Sequence, residues 1–260
     1  MDYIFYLQFH AVALRAEARL NDIPLARSHP GEQLTLNIPV HQYLLPGRNT
    51  IEFRVYSGLE KLSSAATGVL RFAAFRDGDW LEFDEGVELA IIRPKISNSS
   101  GSFVASAFAD VSIKGLYPWA WSRASNIEVA SQRGALDSYV IDLNRMFYDR
   151  NVDGLLAQVA TPINEDSLAY PKTLLKDRAV DFRKLFDLEV GEVWDPAPLD
   201  LNRIEYRKAA DGRLVELLGA DGLPILRTQA KSIVRPFDTP TYRELKVFVG
   251  LREGQFTILR

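Results

Sequence analysis

The sequence predicts two folds in series: an all-β sandwich, then an α+β domain with a curved antiparallel sheet and packed helices. Three observations predict this. Through the first half, apolar residues recur with period two in short runs spaced by roughly ten residues. From Ala135 the apolar period lengthens to 3.6. After Leu201 the alternation returns, broken by Asp-Gly turns. A chain of 260 residues has room for two domains of about 100–200 residues each. The boundaries read 1–117 for the sandwich, 118–134 for a linker and 135–260 for the α+β domain.

The first strand signal is Leu14 to Leu20, where apolar and charged residues alternate. Arg15, Glu17 and Arg19 are expected to face water. Asn21-Asp22 supplies turn chemistry, because both tolerate a left-handed backbone and hydrogen-bond their own main chain. Leu34, Leu36, Ile38 and Val40 mark another strand, and Ile51, Phe53 and Val55 a further one. Between them Leu44-Leu45-Pro46-Gly47-Arg48-Asn49 makes a reversal, with Pro46 presetting φ and Gly47 permitting φ > 0. Val69–Phe75, Trp80–Phe83, Val87–Arg93 and Phe103–Ile113 complete the strand set. Arg76-Asp77-Gly78-Asp79 is expected to join the first two of these as a hairpin. Short, evenly spaced strands without a helical segment indicate a β-sandwich.

In the second half, Leu136, Tyr139, Val140, Leu143, Met146 and Phe147 form one stripe of an amphipathic helix. Asn151 caps an expected short helix over Val152–Val159, which ends before Thr161-Pro162. A third helix is expected around Pro171–Phe186. Leu201–Lys208 and Arg213–Leu218 flank Ala209-Ala210-Asp211-Gly212, a strong hairpin signal. Leu223–Thr228 follows a second Asp-Gly turn. Tyr242–Leu251 and Gln255–Leu259 flank Arg252-Glu253-Gly254. Three hairpins in series predict an antiparallel meander with helices on one face. Pro236 and Pro240 read as edge-strand protection.

Two resemblances follow from these motifs. Leu20-Asn21-Asp22-Ile23-Pro24-Leu25, Ile38-Pro39-Val40 and Tyr43-Leu44-Leu45-Pro46-Gly47-Arg48-Asn49-Thr50-Ile51-Glu52-Phe53-Arg54-Val55 resemble the galactose-binding-like jelly-roll sandwich. Asp22 stands where that family often has Gly. The likeness implies a fold and carries no sugar-binding residues. The order of helices, long hairpins and a final strand resembles the NTF2-like, cystatin-like cone. Asp153-Gly154-Leu155-Leu156 and the pair Arg243–Val249 with Gly254–Arg260 carry that likeness, with Phe256 where many members have Trp.

Composition narrows the chemistry. Lys+Arg 31 against Asp+Glu 34 leaves a net charge of −3, and no run of four basic residues occurs. Nucleic-acid binders usually carry a basic surplus, so no nucleic-acid partner is expected. No segment approaches the about 20 apolar residues that span a bilayer. Asp2 and the polar Gln8 and His10 interrupt the apolar N-terminus, unlike a secretion signal. The expected location is cytoplasmic, or periplasmic for a chain that has lost a leader. No Cys and three His exclude thiolate metal sites, Fe–S clusters and cysteine nucleophiles. His10, His29 and His41 fall in unrelated local contexts, so no metal site and no cofactor are expected. The Gly-x-Ser-x-Gly elbow, Ser-x-x-Lys, P-loop, His-Glu-x-x-His and EF-hand patterns are absent.

The remaining candidates are few. In NTF2-like enzymes a cavity holds an Asp or His base and a Tyr donor, and the resemblance nominates Tyr139 and Tyr206 as donors and Asp142 or Asp149 as the carboxylate. A carboxylate base requires burial to raise its pKa, and Asp142 lies beside the apolar stripe, where solvation is the simpler reading. Trp119 and Trp121 are two apart, so an extended segment would turn both to one side, as a binding platform or as packing. Trp194 precedes a Pro-rich loop and either borders a cavity or staples that loop. With no catalytic constellation, the expected function is non-enzymatic: a protein-binding module, for example a bacterial accessory or immunity-type protein. The alternatives are a small apolar ligand or a lyase- or isomerase-type reaction in a C-terminal cavity, and carbohydrate binding by the sandwich.

Overall fold

The computed structural model describes residues 3–56, 63–76, 78–96, 102–111, 118–170, 180, 182–183, 194–197, 199–230 and 242–260. The chain divides into two compact units, residues 1–118 and 119–260. Among the described residues the structure is mostly strand, arranged as four antiparallel sheets, with three α-helices.

The first unit holds β1 (Tyr3–Val12), β2 (Ala16–Leu20), β3 (Ile23–Ser28), β4 (Gln33–Pro39), β5 (Gly47–Val55), β6 (Thr67–Arg76), β7 (Val87–Ile92) and β8 (Phe103–Val111). They form two four-stranded sheets, ordered β4-β1-β6-β7 and β3-β2-β5-β8. The inward positions of the two sheets meet in one core. Phe9 of β1 packs on Phe53 of β5 with ring centroids 5.7 Å apart. Phe53 also lies on Gly68 so closely that a Cβ there would sit 2.3 Å from its Cζ.

The turn chemistry has a visible physical basis. Asn21 and Asp22 both take positive φ (50° and 61°), closing the β2–β3 hairpin. The fully buried Asn49 side chain accepts from the Leu45 N–H at 2.8 Å and donates to the Leu45 and Gly47 carbonyls at 2.9 Å. Asn21 Nδ2 donates to Asn49 Oδ1 at 2.8 Å, and Asn21 Oδ1 accepts from the Thr50 N–H at 3.0 Å. Two asparagines therefore tie the β2–β3 turn to the loop before β5.

Two expectations for this unit are corrected. Trp80–Phe83 is not a strand, because β6 pairs directly with β7. Residues 79–86 instead lie over the first sheet. Gln8 Nε2 donates to the Leu81 carbonyl at 3.3 Å, and Arg71 Nη2 donates to the Glu85 carbonyl at 2.7 Å. The second correction concerns β2. Arg15 is exposed as expected, but Glu17 and Arg19 are 0% and 2% exposed. β2 is an interior strand, and long side chains of its neighbours close over the pair. Arg19 Nη1 binds Glu17 at 2.7 Å and Arg27 binds the other Glu17 oxygen at 2.9 Å. Arg19 Nη2 reaches Asp22, which also meets Arg54, and Arg54 binds Glu52 at 2.6 Å. Three carboxylates balance three guanidiniums, the condition under which charges are tolerated inside a protein.

The second unit contains α1 (Val129–Tyr148), α2 (Val152–Gln158), α3 (Ala160–Ala169), β9 (Trp194–Pro196), β10 (Glu205–Ala209), β11 (Leu214–Leu218), β12 (Leu226–Ala230), β13 (Tyr242–Leu245), β14 (Phe248–Arg252) and β15 (Gln255–Ile258). The stripe of α1 is buried at Leu136, Val140, Leu143 and Phe147. It packs on Val215, Leu217, Val249 and Ile258 of the sheet β10-β11-β14-β15. The β10–β11 turn places Ala210, Asp211 and Gly212 at positive φ, the backbone that the Asp-Gly pair announces.

Several boundaries differ from the sequence expectation. α1 begins at Val129, inside the segment read as a linker, and Trp119, Trp121, Ala124 and Ile127 of that segment are buried. Asn151 caps α2 by accepting from the Gly154 N–H at 2.9 Å. Pro162, read as a stop, lies in the first turn of α3, where its missing N–H has no intrahelical acceptor to lose. The single expected strand Tyr242–Leu251 is two. β13 pairs with β12, and β14 pairs with β11 and β15. The meander is thus divided between two sheets, the smaller ordered β13-β12-β9. Most of the helix expected over Pro171–Phe186 and both prolines Pro236 and Pro240 lie outside the described residues.

Candidate functional site

The structure separates Tyr139, Asp142 and Tyr206, three of the residues nominated for catalysis. Tyr139 lies on the flank of the α1 stripe. Its hydroxyl donates to Gln158 Oε1 at 2.8 Å, and its ring sits 6.2 Å from that of Phe256. Tyr206 projects from β10 and donates to Asp137 Oδ1 at 2.6 Å, with the Arg133 guanidinium 4.5 Å from its ring. Arg133 and Asp137 are themselves paired at 3.0 Å, one helical turn apart. Burial holds both phenols well above their ordinary pKa, and the Asp137 carboxylate adds to that for Tyr206. Both are therefore neutral donors near neutral pH, already committed to a partner. Asp142 has a largely exposed side chain, 3.4 Å from Arg145. Its exposure denies it the burial that a carboxylate base needs. These groups clamp α1 to its surroundings and do not converge on one point.

The tryptophan candidates are also reassigned. Trp119 and Trp121 are 2% and 1% exposed, so neither offers a surface platform. The Arg260 guanidinium lies 5.6 Å from the Trp119 ring and binds Glu165 Oε2 at 2.6 Å. Glu165 Oε1 accepts from the Ala120 N–H at 2.5 Å. One buried ion pair thus fastens the 119–123 turn, α3 and the end of the β15 segment together. Trp194 opens β9 opposite Ala230, and its side chain lies outside the described residues.

Two features carry more. The first is a cavity of about 210 Å3 in the second unit, where α2 and α3 leave the sheets. Leu155, Val159, Ile163, Leu226, Val247 and Ile258 contribute its apolar walls, and Asp166, Lys246 and Arg260 its polar ones. None of Tyr139, Asp142 and Tyr206 lines it. The second is the β6–β7 loop of the first unit. Trp80 at its start is 78% exposed, the most exposed of the large apolar side chains described. Its neighbours are anchored. Gln8 Nε2 reaches Asn37 Oδ1 at 3.0 Å, Asn37 Nδ2 donates to the Leu81 carbonyl at 3.1 Å, and Arg71 Nη1 donates to Gln8 Oε1 at 2.6 Å. Arg71 also meets Glu88 at 3.2 Å and lies 5.9 Å from the Phe83 ring. Gln8 and Arg71 are buried. Asp79, Glu82, Asp84 and Glu85 flank Trp80 on a stretch with no basic residue between Asp79 and Glu88.

Sequence reasoning missed this loop because Trp80-Leu81-Glu82-Phe83 is rich in the aromatic and apolar residues that strands favour. The available signal was the acidic run after it, which strands disfavour. Among the described residues no three His, Cys, Asp or Glu side chains gather as metal ligands, and no helix is long and apolar enough to cross a membrane. Comparison with protein-family models, curated proteins and solved structures finds no match to this chain.

Proposed function

We propose that the chain is a binding protein without chemistry of its own, and that its first unit engages a basic segment of a partner protein through the β6–β7 loop. The observation that carries this reading is Trp80, exposed on a loop whose backbone is held by the buried Gln8 and Arg71 side chains. An indole offers about 150–250 Å2 of contact area. Holding its loop in place in advance lowers the ordering cost of association. Tryptophan is also enriched among the residues that dominate interface energy. The four carboxylates around it favour a cationic partner and speed its approach. The separation of Tyr139, Asp142 and Tyr206 supports the non-enzymatic part of the reading.

The test places a photo-crosslinking residue at position 84 and compares wild type with Trp80→Ala. The reading expects one stoichiometric basic partner, crosslinked at the loop. Its affinity should fall at least tenfold in Trp80→Ala and decline with added salt. Equal capture by the variant would refute it. Retention on a glycan array that depends on Trp80 would replace it with carbohydrate binding.

A further inference from the structure

We infer that the second unit binds a small, uncharged apolar molecule in the cavity between α2–α3 and the sheets, one aromatic ring with a short substituent being the class that fits. Three observations lead there. The first is size. A cavity of about 150 Å3 lined by aliphatic side chains accepts benzene, and this one measures about 210 Å3. The space is partly open to solvent, so a ligand of that size can enter it.

The second observation is the wall. Leu155 comes from α2, Val159 from the α2–α3 junction and Ile163 from α3, while Leu226 and Ile258 come from β12 and β15 and Val247 from the link between β13 and β14. Such a surface holds water poorly, because a water needs two to four polar partners. An apolar ligand gains by replacing it.

The third observation is where the polar groups sit, which chooses between neutral and ionic ligands. The cavity is lined by Lys246 and Arg260 on the cationic side and Asp166 on the anionic side. Arg260 is bound at 2.6 Å by Glu165, itself held by the Ala120 N–H. Arg260 is thus already paired, while Lys246 is exposed and Asp166 half-buried, so these charges stay within reach of water. A ligand carrying a carboxylate or an ammonium group would have to leave water for walls that are mostly apolar, which is costly. A neutral molecule avoids that cost.

Toluene and benzoate, which share one ring and differ in charge, test this on the full chain. Toluene is expected to bind with Kd below about 1 mM, the ordinary range for a ligand of seven heavy atoms. It should show intermolecular NOEs to the methyls of Val159, Val247 and Ile258, and benzoate should bind at least tenfold more weakly. Ile163→Phe fills the space from α3 and Val159→Phe from the α2–α3 junction, and each should reduce toluene affinity at least tenfold with the amide spectrum of the sheet retained. The NOE measurement on wild type needs no variant, so misfolding of either cannot obscure the result. Absence of toluene NOEs, or benzoate binding as tightly as toluene, overturns the inference. Neither outcome bears on the Trp80 loop, which belongs to the other unit.

Discussion

His41 makes the first unit sensitive to mild acid. Its imidazole is buried, edge-on to Phe5 with centroids 5.0 Å apart, and burial pushes its pKa down to about 4. In the unfolded chain the ring titrates near 6.5. As pH falls below 6.5, the unfolded chain takes up the proton and the folded chain does not. The stability held by the neutral ring is thus whole above about pH 6.5 and is lost as pH falls toward 4. The gap between the two values corresponds to a loss of about 2 kcal/mol at pH 5 and about 3 kcal/mol at pH 4. His41→Leu removes the titration. The assay is native-state hydrogen exchange of the slowest β1 and β6 amides from pH 7.5 to 4.5, which reads the first unit alone. Wild type should lose about 2 kcal/mol more than the variant between pH 7 and pH 5, whatever constant offset the substitution introduces. Parallel curves for the two proteins would refute the reasoning.

Three further substitutions test the packing. Glu17→Leu removes one of the two carboxylates that hold the buried Arg19, together with the partner of Arg27, and should destabilise the first unit by about 3–5 kcal/mol in urea unfolding. Glu17→Leu with Arg19→Met should recover most of that loss, and a purely additive double variant would sink the idea. Asn49→Ala removes a fully buried side chain bonded to Leu45, Gly47 and Asn21 and should cost about 3 kcal/mol in the same assay. A loss under about 0.5 kcal/mol would show that the two-asparagine tie is dispensable. Gly68→Ala places a Cβ against Phe53 and should cost about 1–3 kcal/mol. Combining it with Phe53→Leu should cost less than the sum of the two single changes, and strict additivity would show the contact to be slack.

Much of the local structure was legible because it depends on near neighbours. The hairpin at Asn21-Asp22, the Pro46-Gly47 reversal and the turn at Ala210–Gly212 follow from residues that tolerate positive φ. The α1 stripe was legible because burial of one helical face imposes a 3.6-residue period. The α1 start was not, since Val129–Gly134 carries polar residues on a well-formed first turn and a half. Pro162 misled for a related reason: proline stops a helix from inside and suits its first turn, and spacing alone does not say which position it holds.

The alternation of β2 determined that Glu17 and Arg19 share a face with Arg15, and nothing in it determined what covers that face. Only the sheet order β3-β2-β5-β8, which sets Arg27 and Arg54 beside them, made two of those charges interior. The same division holds at the sites. The residue types that nominated Tyr139, Asp142 and Tyr206 were local, but convergence is a three-dimensional property, and the fold spends each of them on its own partner. Trp80 was read as one residue of a strand, and its exposure was decided by contacts of Gln8 and Arg71 from two other strands. The sequence by itself determined periodicity, turns and the shortage of Cys and His, which are properties of neighbours along the chain. Burial, charge pairing and the cavity depend on which strands lie side by side, and only the tertiary structure decided them.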